Sequence, residues 1–168
     1  MMPKVIRVAS VQCHTLANTA DSLHKLESKV AEAADSGVDL ILFPEVYLGG
    51  YPRTASFGTT VGQRTLEGYE QFLQYFHSAV DFGDTPIGAE DDWIERRLPT
   101  NDGEHRGDGT REELERIARE TRVYIVTGVL EKCGGSLYCS VVYVDPAKGF
   151  TGKRRKVMPT GSERLVWA

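Results

Sequence analysis

The sequence predicts an α/β fold in which neighbouring strands run parallel. Residues 5–12 (VIRVASVQ) are rich in valine and indicate a first strand, and residues 38–43 (VDLILF) form a short apolar run typical of a buried strand. Between them, leucine and alanine recur at helical spacing from an N-cap at Asn18 to Gly37. A strand, a helix and a second strand in this order imply a βαβ unit with a right-handed crossover.

An acidic residue follows the second predicted strand. The apolar run ends at Pro44 and Glu45, and two glycines and a proline then indicate a tight loop. Because the carboxyl ends of parallel strands carry much of the chemistry of α/β proteins, Glu45 is a candidate functional carboxylate. An exposed loop carboxylate is the alternative, and these residues alone leave it open.

The remaining chain alternates helical and strand patterns. Aromatic and leucine side chains predict a helix over residues 63–80, and residues 81–109 form an acidic loop with little apolar content. Residues 110–113 (TREE) fit a capping box and predict the start of a further helix. Residues 123–130 and 137–144 are β-rich and are joined by a Gly-Gly turn, which predicts a hairpin.

Composition and charge bound the class of protein. A chain of 168 residues, 40% hydrophobic and 26% charged, is long enough for one domain and too short for two ordinary ones. The formal net charge of -4 argues against a nucleic-acid or anionic membrane surface. No apolar run approaches the length of a membrane span, and no signal-peptide core follows the first residues. We therefore expect a cytoplasmic protein with neither a nucleic-acid nor a membrane partner.

The cysteines and the basic residues carry weaker signals. Cys13, Cys133 and Cys139 give neither a disulfide framework nor a zinc pattern. Cys13 precedes His14, but neighbours on an extended chain point to opposite faces, so a small buried thiol is favoured over a nucleophile pair. The run KRRK at residues 153–156 is typical of a phosphate or nucleic-acid patch, which the acidic net charge disfavours.

Five segments together resemble the nitrilase branch of the carbon–nitrogen hydrolases. They are FPE at residues 43–45, LGGYPR at 48–53, SFG at 56–58, GGSLYCSVVYVDP at 134–146 and GKRRKVMPTGSERLVWA at 152–168. The resemblance covers essentially the whole chain. The aromatic helix and the acidic loop are most similar to those of fungal members, which include aromatic nitrilases and cyanide hydratases.

The resemblance implies part of an α-β-β-α sandwich and a catalytic triad of glutamate, lysine and cysteine. Matched position by position, Glu45 is the general base, Lys156 is the lysine, and Glu163 is a second glutamate that assists. Met158 stands where many bacterial relatives have a second lysine, which leaves Lys156 as the matching one. In such a site a carboxylate activates a thiol, and an ammonium stabilises the charge that develops on the substrate. Lysine and cysteine cover both roles, so no metal or organic cofactor is expected.

The third member of that triad has no match among the cysteines. In the family it lies beyond the lysine segment in a Cys-Trp-Glu-like context, which Cys13, Cys133 and Cys139 lack. We therefore expect residues 1–168 to be the N-terminal part of a single carbon–nitrogen hydrolase domain, with the C-terminal half absent. The expected family activity is hydrolysis of a small nitrile to the carboxylic acid and ammonia, or to the amide, and we expect this chain to be inactive alone.

Two alternatives stay open. The chain could be a non-catalytic truncated remnant that assembles with full-length nitrilases, and within the family an amidase is the second alternative. Strands that the other half should cover would present apolar faces and unpaired edges to water. We therefore expect marginal stability, or stabilisation through association as a homo-oligomer or with related nitrilase subunits.

Overall fold

A computed structural model of the protein describes residues 5–52, 65–83, 86, 88–100 and 105–168. In chain order its elements are β1 (Val8–Ser10), α1 (Thr19–Asp35), β2 (Leu40–Leu42), α2 (Leu66–Ser78), β3 (Val80–Asp81), α3 (Glu90–Ile94), α4 (Thr110–Thr121), β4 (Tyr124–Cys133), β5 (Ser136–Asp145), β6 (Gly149–Arg155) and the 3-10 helix Gly161–Leu165. Within these ranges, no helix is both long and apolar enough to cross a membrane.

The strands form one mixed sheet in the order β1-β2-β4-β5-β6, and β3 pairs with the end of β4. β1, β2 and β4 are parallel, so the predicted βαβ unit is confirmed. β4 and β5 form the predicted antiparallel hairpin, in which Cys133 lies opposite Ser136. β6 continues the antiparallel side by pairing with β5. This order places the ends of β2 and β6 on either side of the long central hairpin.

Helices α1 and α4 both begin where the sequence predicts, but only α1 has the predicted cap. Asn18 caps α1 because its Oδ1 accepts from the Asp21 N–H at 2.7 Å. The capping box predicted at residues 110–113 is wrong. Gly109, which lacks a side chain and has a φ of 90°, precedes α4. That left-handed turn lets Asp108 Oδ1 accept from the Thr110 N–H at 3.0 Å, so Thr110 lies inside the helix rather than capping it.

The region predicted as a helix followed by an acidic loop contains more structure than expected. α2 ends at Ser78, and β3 follows it by pairing with Glu131 and Lys132, so the helix does not reach residue 80. Residues 63 and 64 of that prediction, and residues 84, 85, 87 and 101–104 of the loop, lie outside the described residues. The prediction of a loop is wrong for Glu90–Ile94, which form α3.

The anchor of α3 is one buried aromatic side chain. Trp93 is 3% exposed and packs edge-on against Phe82 and Phe150. Arg111 of α4 donates to the carbonyl oxygens of Trp93 and Ile94 at 2.7 and 2.9 Å, which satisfies the last turn of this short helix. A segment of low average hydrophobicity therefore still packs on the core.

Helices cover one face of the sheet, and much of the other face is open. Apolar side chains of α1 and α4 pack on the first face in a cluster that includes Leu26, Val30, Leu114, Ile117, Ile125, Val142 and Val144. A second cluster covers only one end of the opposite face and includes Val46, Tyr75, Ala79, Leu130, Leu137, Cys139 and Trp167. On the sheet outside it, Val8 is 64% and Leu42 is 43% exposed, so the expected exposure of apolar strand residues is confirmed at these positions.

Two leucine truncations compare the covered and open faces. Leu114 is fully buried, so Leu114→Ala should leave a cavity and cost about 2–5 kcal/mol of unfolding free energy. Leu42 is 43% exposed, so Leu42→Ala should cost about 1 kcal/mol or less. Urea denaturation at low protein concentration measures both losses. Equal losses would show that the face carrying Leu42 is covered in solution.

Candidate active site

Three charged side chains from three separate segments meet at one edge of the sheet. Glu45 follows β2, Lys156 follows β6, and Glu163 lies in the 3-10 helix. Lys156 Nζ is 2.9 Å from Glu45 Oε1 and 3.1 Å from Glu163 Oε1. The three residues selected in the sequence analysis are therefore in direct contact, with one cation between two carboxylates.

The backbone of β4 places Glu45. Gly128 donates its N–H to the Pro44 carbonyl oxygen at 3.2 Å, and its own carbonyl accepts from the Leu48 N–H at 3.2 Å. A Cβ at Gly128 would lie 2.4 Å from that Pro44 oxygen and 2.7 Å from Glu45 Cα, so only glycine permits this contact. Val46, which is fully buried, adopts a left-handed φ of 42° in the same loop. The segment that carries Glu45 is thus held tightly and with local strain.

Lys156 is fixed at both its backbone and its ammonium. Its N–H donates to the Cys139 carbonyl oxygen at 2.7 Å, which continues the pairing of β6 with β5. Its ammonium lies 5.6 Å from the centre of the Trp167 ring. Hydrogen bonds to Glu45 and Glu163 raise the pKa of Lys156 above its ordinary value, so the side chain stays charged.

Glu163 is a buried carboxylate that accepts hydrogen bonds from several donors. Its side chain is 3% exposed. The Thr160 N–H donates to its Oε2 at 2.6 Å in a capping box, and the Tyr51 hydroxyl donates to its Oε1. Burial alone would raise the pKa of Glu163, but the hydrogen bonds from Tyr51, Thr160 and Lys156 outweigh it and lower the pKa to about 2. Glu163 therefore stays ionised and holds Lys156.

Cys139 lies in the site, although its sequence context predicted no role for it there. Its Sγ donates to Glu45 Oε1 at 3.5 Å, and the residue is 6% exposed. Burial, reinforced by the charge of Glu45, raises the pKa of the Cys139 thiol to about 12. Of the other cysteines, Cys133 ends β4 at the hairpin. Cys13 packs against the core but is only partly buried, so the predicted burial of its thiol is incomplete. Cys13 follows the edge strand β1, where packing covers only one side.

Two residues of the site were missed because only the folded chain brings them to it. Tyr51 reaches Glu163 from a loop after β2, and Cys139 reaches Glu45 from the centre of the hairpin. Both stand in segments that carry the family resemblance, LGGYPR and GGSLYCSVVYVDP. Their position in these two segments is the signal that could have identified them as site residues.

A cavity of about 510 Å³ lies beside these groups, within the range of small-molecule sites. Glu45, Cys139 and Lys156 line one part of it. Leu42 and Val141 belong to its apolar wall. A carboxylate, a fixed cation and an apolar wall therefore border one space.

Two residues of the basic run 153–156 pair with a buried carboxylate. Lys153 Nζ lies 2.6 Å and Arg155 Nη2 2.7 Å from Oε1 of Glu131, which is 1% exposed. Ser140 donates to the other oxygen of Glu131 at 2.6 Å. Two of the four basic residues thus neutralise one buried carboxylate, which weighs against a phosphate patch. Nowhere in the described ranges do three or more His, Cys, Asp or Glu side chains form a group that could hold a metal ion.

Comparison with known proteins defines the class. The chain belongs to the carbon-nitrogen hydrolase family, whose sequence profile matches residues 7–168. It is 38% identical over 159 residues to an arylacetonitrilase of Trametes versicolor, a match that covers 95% of this chain and 42% of that protein. A bifunctional nitrilase/nitrile hydratase of Nicotiana tabacum is 38% identical over 163 residues, covering 96% of this chain and 40% of that protein. The predicted family is confirmed.

Solved structures confirm the fold class. A variant of the Nesterenkonia amidase from the nitrilase superfamily superimposes with a TM-score of 0.60 at 15% identity, covering all of this chain and 50% of that one. Another variant of this amidase, in complex with butyramide, gives a TM-score of 0.58 at 16% identity over 97% of this chain and 48% of that one. The chain thus spans about half of these structures and about two fifths of the relatives it matches.

The charge of Glu163 predicts a pH dependence. The pKa of about 2 lies below the ordinary glutamate value of about 4.3, so ionised Glu163 stabilises the folded state above that ordinary value. This contribution should be lost as the pH falls from about 4.5 towards 2. We expect the wild type to exceed Glu163→Gln in unfolding free energy at pH 7, with the difference shrinking over that window.

Urea denaturation at a series of pH values measures this difference. Glu70→Gln, at an exposed position of α2, controls for the loss of a surface carboxylate. A Glu163→Gln difference that stays constant down to pH 2 would contradict the ion pair with Lys156.

The contact at Gly128 predicts a second result. Gly128→Ala should push the loop carrying Glu45 away from β4 and cost about 1–3 kcal/mol of unfolding free energy. Gly135→Ala is the matched control, because a Cβ there meets nothing within 4 Å, and it should change stability by about 0.5 kcal/mol or less. Urea denaturation of both variants measures the contrast. Equal effects would show that the loop does not depend on close approach to β4.

Proposed function

We propose that this chain is the N-terminal part of a nitrilase-type carbon–nitrogen hydrolase domain and carries three of its functional side chains. The observation that supports this most directly is the Lys156 ammonium between Glu45 and Glu163, at 2.9 and 3.1 Å, on the border of a cavity. A cation held in this way is suited to stabilise negative charge that forms in the cavity during a reaction.

Each side chain has a distinct role in the proposed reaction. Glu45 takes the proton of a thiol, whose sulfur attacks the nitrile carbon. Lys156 stabilises the charge that develops on the nitrile nitrogen. Glu163 keeps Lys156 charged and in place. The nitrogen takes up the proton from Glu45, which gives a thioimidate, and a water then adds to the thioimidate carbon. Loss of the thiol gives the amide, whereas loss of ammonia leaves a thioester that a second water hydrolyses to the carboxylic acid and the free thiol.

The thiol in this proposal comes from outside residues 1–168. Cys139 is the cysteine in contact with Glu45, but it is buried within β5, and burial raises its pKa to about 12, which leaves almost no thiolate at neutral pH. Cys133 is the last residue of β4, at the turn of the hairpin, and Cys13 follows the edge strand β1. We therefore propose that the chain is inactive alone and that a covering segment with its own cysteine completes the site.

A nitrile is the proposed substrate class. The name of the Trametes relative refers to arylacetonitriles, and the Nicotiana relative is a nitrilase and nitrile hydratase. The amidase similarity supports an amide substrate less, because 15% identity shows the fold alone. Leu42 and Val141 give the cavity an apolar wall that fits the organic group of a small nitrile. Free cysteines fit a reducing, cytoplasmic location.

An assembly role is the second candidate. Val8 and Leu42 are exposed on the sheet face that also borders the cavity, and exposed apolar surface of this kind favours association. In this alternative the chain binds a second copy or a related nitrilase subunit without turning over a nitrile itself.

Co-expression with the remaining part of the Trametes arylacetonitrilase tests both candidates. We expect the two polypeptides to co-purify and to release ammonia or amide from phenylacetonitrile, with the isolated chain inactive. Glu45→Gln and Lys156→Met should each lower the rate by about 10³-fold or more, and Glu70→Gln should not. A co-purified complex without product would overturn the enzyme proposal in favour of assembly. Turnover by the isolated chain would overturn the proposal that the thiol comes from outside residues 1–168.

A further inference from the structure

We propose that Cys139 is a positioning residue for Glu45, whose thiol fixes one carboxylate oxygen and leaves the other to accept the proton. The inference rests on the proposed role of Glu45 as the base. It assigns to a cysteine of this site a role as hydrogen-bond donor rather than as nucleophile.

The two hydrogen bonds of the Glu45 carboxylate end on the same oxygen. Oε1 accepts from Lys156 Nζ at 2.9 Å and from Cys139 Sγ at 3.5 Å. No donor among the described residues reaches Oε2, and Glu45 borders the cavity with 48% of its side chain exposed. Oε2 is therefore the oxygen that remains available to a reacting group.

A second donor is needed to hold that orientation. The terminal torsion of a glutamate is broad, and an ammonium in a fixed place can still bind either carboxylate oxygen equally well. Cys139 differs because it lies within β5, opposite Leu130 on the central strand β4, and is buried. A short side chain on a rigid strand offers its donor from a single direction.

Cys139 also fixes the partner of Glu45. Its carbonyl oxygen accepts the N–H of Lys156 at 2.7 Å, while its thiol donates to Glu45. One residue thus sets the place where the lysine leaves β6 and the direction in which the carboxylate faces. Burial and the charge of Glu45 raise the pKa of the thiol to about 12, which keeps the proton needed for donation.

The infrared S–H stretching band of Cys139 tests the hydrogen bond in this chain as it stands. Subtracting the spectrum of Cys139→Ala from that of the wild type isolates the band. A hydrogen-bonded S–H absorbs at lower wavenumber, so Glu45→Ala should shift the band upward, and the control Glu70→Ala should leave it in place. An unshifted band in folded Glu45→Ala would overturn the proposal.

The effect on positioning is measured in the co-expressed complex described above. Cys139→Ala, which removes the donor, should lower kcat by about tenfold or more with little change in KM. Cys139→Ser, which keeps a donor of similar size, should retain most of the rate. Equal losses in both variants would overturn the donor role. A complex without any turnover would instead count against the proposed function, and the infrared band would still decide whether Cys139 holds Glu45.

Discussion

The ion pair of Lys156 with Glu45 and Glu163 is the interaction on which the site depends. A buried carboxylate such as Glu163 is costly unless it is paired and hydrogen-bonded, and Lys156 together with Tyr51 and Thr160 meets that requirement. Glu45, in contrast, is half exposed and keeps solvent on one side. The two carboxylates therefore differ in environment. Glu163 is held in place by its hydrogen-bond donors, whereas Glu45 borders the open cavity.

The sequence predicted the features that local pattern determines. The βαβ unit, the Asn18 cap and the β4–β5 hairpin follow from hydrophobic period and turn residues, and the structure contains all three. The family resemblance selected the three charged residues of the site. The contacts of Tyr51 and Cys139 could not be predicted, because they join residues that are remote in sequence and depend on how the sheet is assembled.

Two short sequence patterns show why other features of the structure were harder to predict. Thr-x-x-Glu occurs at residues 110–113 and at residues 160–163, yet only the second forms a capping box. The difference lies in Gly109, whose left-handed backbone moves the start of α4 back by one residue. In the acidic segment, average composition concealed Trp93, whose ring lies 4.5 Å from the Arg111 guanidinium and anchors α3. In both cases one residue outweighs the pattern around it.

The close approach at Gly128 separates the placement of Glu45 from the shape of the cavity. The loop that carries Glu45 rests on main-chain atoms of β4, with no side chain between them. Leu42 and Val141 border the same cavity but take no part in that main-chain contact. Substitutions of these two side chains can therefore change the shape of the cavity while Glu45 stays in position. A scaffold of this kind allows the apolar wall of the cavity to change independently of the charged groups beside it.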